Sequence, residues 1–173
     1  MGSHSRNPAE MATILALAYR AGIAGQQNGT SFSILPATEG YDRYGKFDLI
    51  IIKTRGNFTR ELRVDVTTSY RYKGFKIARA VKRAKQGKKW PYILKVDWKQ
   101  AAFIPLDPCF NQAWDQIQDG VPATLAEVCP QHGNNCALAQ KLFSYSQELN
   151  AILESETTGA RYFTMPLQTP RFN

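Results

Sequence analysis

Two aspartates stand where a strand interior is normally apolar. Asp48 heads the run KFDLIII, and Asp65 lies inside ELRVDVTTS. A buried carboxylate is costly unless it is paired, hydrogen-bonded or bound to a cation. The cation answer is the one with chemistry in it. Two strand carboxylates side by side can hold a divalent ion that activates water near neutral pH. The same ion offsets the charge that grows on phosphate oxygens during phosphodiester hydrolysis. Mg2+ keeps several waters and takes one or two carboxylates, so Asp48 with Asp65 suits Mg2+, or Mn2+ in its place. The local alternative is that Asp48 caps a turn and Asp65 pairs with Arg63 or Arg71.

Charge points to the same class of substrate. The net charge of +8 is lopsided, with 19 Lys/Arg against 7 Asp/Glu in residues 1–100 and 3 against 7 in residues 101–173. No acid occurs between Val66 and Val96, and the stretch from Arg71 to Lys89 carries nine Lys/Arg. Such a field favours a polyanion. Lys76, Arg79 and Lys82 or Arg83 recur at helical spacing, and with Arg71 and Lys73 they form a stripe able to follow a phosphate backbone. Contacts of that kind position a nucleic acid without reading its sequence. Tyr70 and Tyr72 could stack on bases or pack beside the strand end. The bland alternative for the whole stretch is a solvated basic helix.

The elements that must position these residues follow from pattern. NPAEMATILALAYRAG predicts a helix with Asn7 as N-cap, Pro8 at the first helical position and Gly22 near its stop. TSFSILPA is expected to be extended, and EGYDRYG a turn that uses Glu39 and Asp42 for its own backbone or brings them near the site. FDLIIIK is a continuous apolar run, which places it near the centre of a sheet. TRGN supplies a turn. In ELRVDVTTS, Leu62, Val64 and Val66 alternate with Arg63, Asp65, Thr67 and Ser69, so Asp65 and Thr67 share a face. YRYKGFKIARAVKRAKQGKK predicts a helix with Phe75, Ala78 and Val81 or Ala84 inward. KWPYILKVDW predicts a strand, and AAFIPLD a further one. Residues 111–155 read as helical, broken by GVPAT and CPQHGNNC, and RYFTMPLQTPRFN as a strand or extended arm. The fold class is α/β, a central mixed sheet flanked by helices, with a C-terminal helical extension.

These residues resemble the restriction-endonuclease-like, or PD-(D/E)xK, nuclease superfamily over residues 8 to about 104. The resemblance implies a core of helix, β-meander, helix and further strand. Asp48 matches the acid near the start of the second core strand, and Asp65 the first residue of (D/E)-x-K on the third. Glu10 matches an acid that many members add on the first helix. Thr67 stands where the motif lysine would be, two residues after Asp65. The implied role of that lysine is to orient or activate water and to offset charge in the transition state. A threonine can hydrogen-bond a water but supplies no cation. Lys76, opening the helix after the strand, is the expected replacement, ahead of Lys73 and Lys53.

The expected function is a metal-dependent endonuclease, acting on DNA. The alternatives are a catalytically inactive nucleic-acid-binding protein on the same scaffold, or an assembly or regulatory protein whose acidic C-terminal helices bind a partner. Those helices could form a homodimer face or finish the core. Three cysteines exclude a complete disulfide framework and fit a reduced, cytoplasmic setting. Cys109, Cys129, His132 and Cys136 are four potential zinc ligands without a paired-CxxC spacing, so buried thiols and a loop histidine are expected instead of zinc, with a Cys129–Cys136 disulfide possible under oxidation. No apolar run approaches the roughly 20 residues of a membrane span, so no membrane partner is expected. MGSHS resembles the scar of an expression tag. His4 is therefore set aside and Met11 is expected to lie nearer the natural start. The expected organisation is a scar or disordered segment at 1–7, a nuclease-like core at 8–106, and a helical extension with an extended tail at 107–173.

Overall fold

The computed structural model describes residues 7–37, 47–68, 74–75, 78–79, 81–82, 85–86, 91–118 and 136–154. Helix α1 (Pro8–Asn28) begins as its sequence dictates. The Asn7 side chain accepts from Ala9 N–H at 2.9 Å, and Pro8 occupies the first turn, where a missing N–H costs nothing. Gly22 does not end it. The helix runs on to Gly29, whose φ of +64° is the left-handed cap that glycine adopts without strain. The chain then doubles back so closely that a Cβ on Gly25 would lie 2.7 Å from Thr30 O. Residues Ala12 and Ile14 to Tyr19 are buried all round the helix, so α1 is the central rod of the core, not a surface helix.

One face of α1 lies against a four-stranded mixed sheet of order β1-β2-β3-β4, comprising β1 (Ser31–Pro36), β2 (Leu49–Arg55), β3 (Phe58–Thr67) and β4 (Tyr92–Lys95). The first three form an antiparallel meander, and β4 returns parallel to β3. Parallel return needs a crossover. Within it Gly74, Phe75, Ala78, Arg79, Val81, Lys82 and Lys85 are helical. Register aligns Ile34, Ile51 and Leu62 in one cross-strand row, and Leu49, Val64 and Tyr92 in the next. Both rows face α1 and are buried. Pleat alternation sends Asp65 and Thr67 to the opposite face.

After β4 the chain turns at once into helices. Asp97 accepts from Lys99 N–H at 2.8 Å and caps α2 (Trp98–Phe103), which a 3-10 turn (Ile104–Leu106) follows. The expected strand over AAFIPLD is therefore a helix and a turn, because the run continues a helix whose start Asp97 caps. Helix α3 (Phe110–Gln118) follows a turn in which Asp107 Oδ1 accepts from Cys109 N–H at 3.0 Å. Helix α4 (Ala137–Glu154) turns Leu138, Leu142, Tyr145, Leu149 and Leu153 onto the core, so it finishes the core alongside α1. The inward residues expected of the crossover helix are corrected too. Phe75 is 65% exposed and Ala78 is also exposed.

A buried hydroxyl pair ties α4 to α1, with Thr13 Oγ1 and Tyr145 Oη 2.8 Å apart. Burial pushes the Tyr145 phenol up to about 12, opposed by the Thr13 hydrogen bond and assisted by the charges of Glu148 and Asp97. The fold thus holds the neutral phenol. That contribution is whole below pH 10, the ordinary tyrosine value, and is lost as pH rises towards about 12. Tyr145→Phe is expected to cost about 0.5–1.5 kcal/mol near neutrality. It should also remove this residue's share of the alkaline loss, read by urea unfolding on both sides of pH 10. An alkaline profile identical to wild type would contradict the burial of Tyr145.

Candidate functional site

Asp48 sits just before β2, where the ladder steps out of register. Leu49 pairs with Val64, yet Asp48 N–H also donates to Val64 O at 2.8 Å. Two residues of one strand thus face one of the next, as at a β-bulge, and the extra residue is re-aimed. The Asp48 carboxylate is turned into the ladder, where Val66 N–H donates to its Oδ2 at 2.6 Å. On the other side Ala37 N–H donates to Asp48 O at 2.8 Å. The carboxylate takes the place of a main-chain carbonyl, with a short, charge-assisted bond. Asp48 therefore does part of what the local alternative required, since it caps the β3 backbone.

Its two bonds to β3 fall on the residues either side of Asp65. Val66 N is bonded directly to Asp65 C, so Asp48 Oδ2 lies within about 5 Å of Asp65 Cα. Both aspartates are buried, at 7% and 5% exposure, and so is Thr67. Asp65 pairs with Ile93 and Thr67 with Lys95 in the parallel β3–β4 ladder. Paired residues share a face at a strand spacing of about 4.8 Å. Lys95 is thus beside Thr67 and one step from Asp65. It is half-buried, and its Nζ donates to Val96 O at 3.0 Å. Lys95 lies beyond sequence reasoning because its neighbours depend on the register with which the crossover returns. The one available signal is a lysine inside an apolar strand, YILKV.

Glu10 lies half-buried in the first turn of α1. Among the described residues, no set of three or more His, Cys, Asp or Glu is placed to hold a metal ion. The two-carboxylate site is a smaller requirement. Lys53 is no replacement for the motif lysine. It lies on the α1 side of β2, about 16 Å along the strand from Asp48 at 3.3 Å per residue. There its Nζ donates to Leu153 O at 3.4 Å and lies 5.7 Å from the centre of the Phe32 ring. Arg63 pairs with Glu61 at 3.3 Å and covers the Phe47 ring. Glu39, Asp42, Tyr70, Arg71, Tyr72, Lys73, Lys76, Arg83, Cys129, His132 and the RYFTMPLQTPRFN arm lie outside the described residues.

Of the basic stretch, Arg79, Lys82 and Lys85 are exposed at steps of three along the helical residues. They place three cations on one side of these helical residues. Cys136 is buried and Cys109 half-buried. Among the described residues no helix is long and apolar enough to cross a membrane. Comparison of the chain with family models, curated proteins and solved structures finds no match.

Proposed function

We propose that the protein is a Mg2+-dependent endonuclease hydrolysing phosphodiester bonds in DNA, on a restriction-endonuclease-like core. The observation that carries this function is the bracketing of buried Asp65 by Asp48 at one end of the β2–β3 ladder. The order helix, meander, helical crossover, parallel strand supports the core assignment. The donor set fits the ion. Two hard carboxylates suffice for Mg2+, which fills its remaining positions with water. When bound, the ion would supply an activated water and charge neutralisation at the phosphate. Asp65 and the Asp48 carboxylate would hold it. The Thr67 hydroxyl, on the face of Asp65, would orient the attacking water. Lys95, beside Thr67, is the described residue best placed to supply the cation that Thr67 lacks. Arg79, Lys82 and Lys85 would hold the backbone of the substrate.

One observation favours the binding-only alternative. The Asp48 carboxylate already serves the β3 backbone, and no lysine follows Asp65 at the motif position. Plasmid nicking with and without Mg2+ separates the two functions. A nuclease relaxes supercoiled DNA only with the metal, whereas a binder retards DNA and leaves it intact.

Binding itself has an expected signature. Each phosphate contact contributes about 0.9 to the slope of log K against log salt on duplex DNA. Arg79→Ala/Lys82→Ala/Lys85→Ala is therefore expected to lower that slope by roughly 2–3. A slope equal to wild type would remove this helix from the interface.

A further inference from the structure

The β2–β3 hairpin runs past the part of the sheet that α1 covers, and its tip is exposed from Arg55 to Glu61. A two-residue turn, Gly56-Asn57, joins the strands, with Gly56 at φ +58°. Positive φ at that position is what tight hairpin turns of matching twist require, so the tip is a short, defined structure. Register pairs Arg55 with Phe58 and Lys53 with Arg60, which puts Arg55, Phe58 and Arg60 on one face. The other face carries Thr54 opposite Thr59, and Glu61 with its partner Arg63. The only acid of the tip is thus on the wrong side to neutralise Arg55 or Arg60. Phe58 is 74% exposed between them. An aromatic ring exposed to water on a tight turn, flanked by two arginines on a face where the tip itself carries no acid, matches a partner that offers anions and flat apolar faces together.

We infer that this hairpin tip is a second nucleic-acid contact, in which Arg55 and Arg60 bind phosphates and Phe58 stacks on or wedges between bases. The inference rests on the nucleic-acid function proposed above and deepens it. Arginine forks suit phosphate oxygens, and aromatic rings stack on any base, so the contact holds substrate without choosing sequence. Phe58 is seven residues from Asp65 along β3, about 23 Å at 3.3 Å per residue. The tip therefore grips substrate well away from the bond to be cut.

The test uses the full chain and a fluorescein-labelled 20-base-pair duplex, with the matching single strand, followed by anisotropy over a range of salt. Arg55→Ala/Arg60→Ala is expected to lower the salt slope by about 2, as two lost phosphate contacts should. Phe58→Ala should keep the slope and weaken binding about 5- to 150-fold, the range for loss of one stacked base. Phe58→Trp should restore affinity, with indole emission quenched on binding relative to wild type. All three positions are exposed, so the substitutions leave the core intact. Wild-type slope and affinity in these variants, while the Arg79/Lys82/Lys85 variant still loses binding, would overturn the hairpin contact and leave the nucleic-acid function standing. Failure of the wild-type chain to bind either probe would overturn both. Loss of binding to phosphatidylserine vesicles, with nucleic-acid binding untouched, would assign the tip to a lipid surface and also overturn the inference.

Discussion

Asp48→Ala is expected to unfold the chain more easily by about 1–3 kcal/mol, whereas Asp48→Asn is expected to keep stability and lose cleavage. The difference follows from what the carboxylate touches. Val66 N–H is buried and donates to Asp48 Oδ2 at 2.6 Å. Alanine removes the acceptor and leaves a buried donor without it, which costs about 1–3 kcal/mol. Asparagine keeps an amide oxygen at the same place but removes the negative charge that a divalent cation needs. Denaturant unfolding and plasmid nicking on the same two variants separate the two duties. If Asp48 serves the backbone alone, Asp48→Asn will cut as well as wild type.

The larger chemical effect is expected at Asp65. Its side chain lies on the face it shares with Thr67 and Lys95, with Asp48 beside its backbone. Asp65→Asn is close in size, so little packing changes, while one of two carboxylates is lost. Cleavage with Mg2+ or Mn2+ should fall by about 10²–10³-fold, the scale of removing one group that stabilises developing charge in a transition state. Binding to DNA should stay equal or become tighter, because a negative charge near phosphates has gone. A variant that binds more weakly but cuts each bound molecule at the wild-type rate would place Asp65 in the interface and outside the chemistry.

Much of this arrangement is legible in the sequence, and the failures have physical causes. Asn7-Pro8 marks the start of α1, the apolar run LIII marks a central strand, and alternation assigns Asp65 and Thr67 to one face. Those signals are local, so a local reading finds them. Gly22 misleads as a stop because the α1 residues before it, Ala12 to Tyr19 and Ala21, are buried, and packing outweighs the roughly 1 kcal/mol that a mid-helix glycine costs. AAFIPLD is an apolar run of strand length, but it continues the helix that Asp97 caps at its start. Lys95 and the exposed Phe58 are of another kind. The first depends on the register of a parallel return, the second on how far α1 extends over the sheet. Neither is written in neighbouring residues. The bulge that aims Asp48 at Val66 belongs with them, since it exists only once two strands have paired.

The most direct test is metal-dependent cleavage of supercoiled plasmid by wild-type protein and Asp65→Asn, purified side by side and assayed under single-turnover conditions. Identical preparation removes a contaminating nuclease as an explanation, because a contaminant would not respond to the substitution. Nicking by wild type with Mg2+ or Mn2+, abolished by EDTA and absent from Asp65→Asn, is the predicted result. Equal cutting by both proteins, or no cutting by wild type of duplex, branched or single-stranded DNA, would contradict a metal held by Asp48 and Asp65.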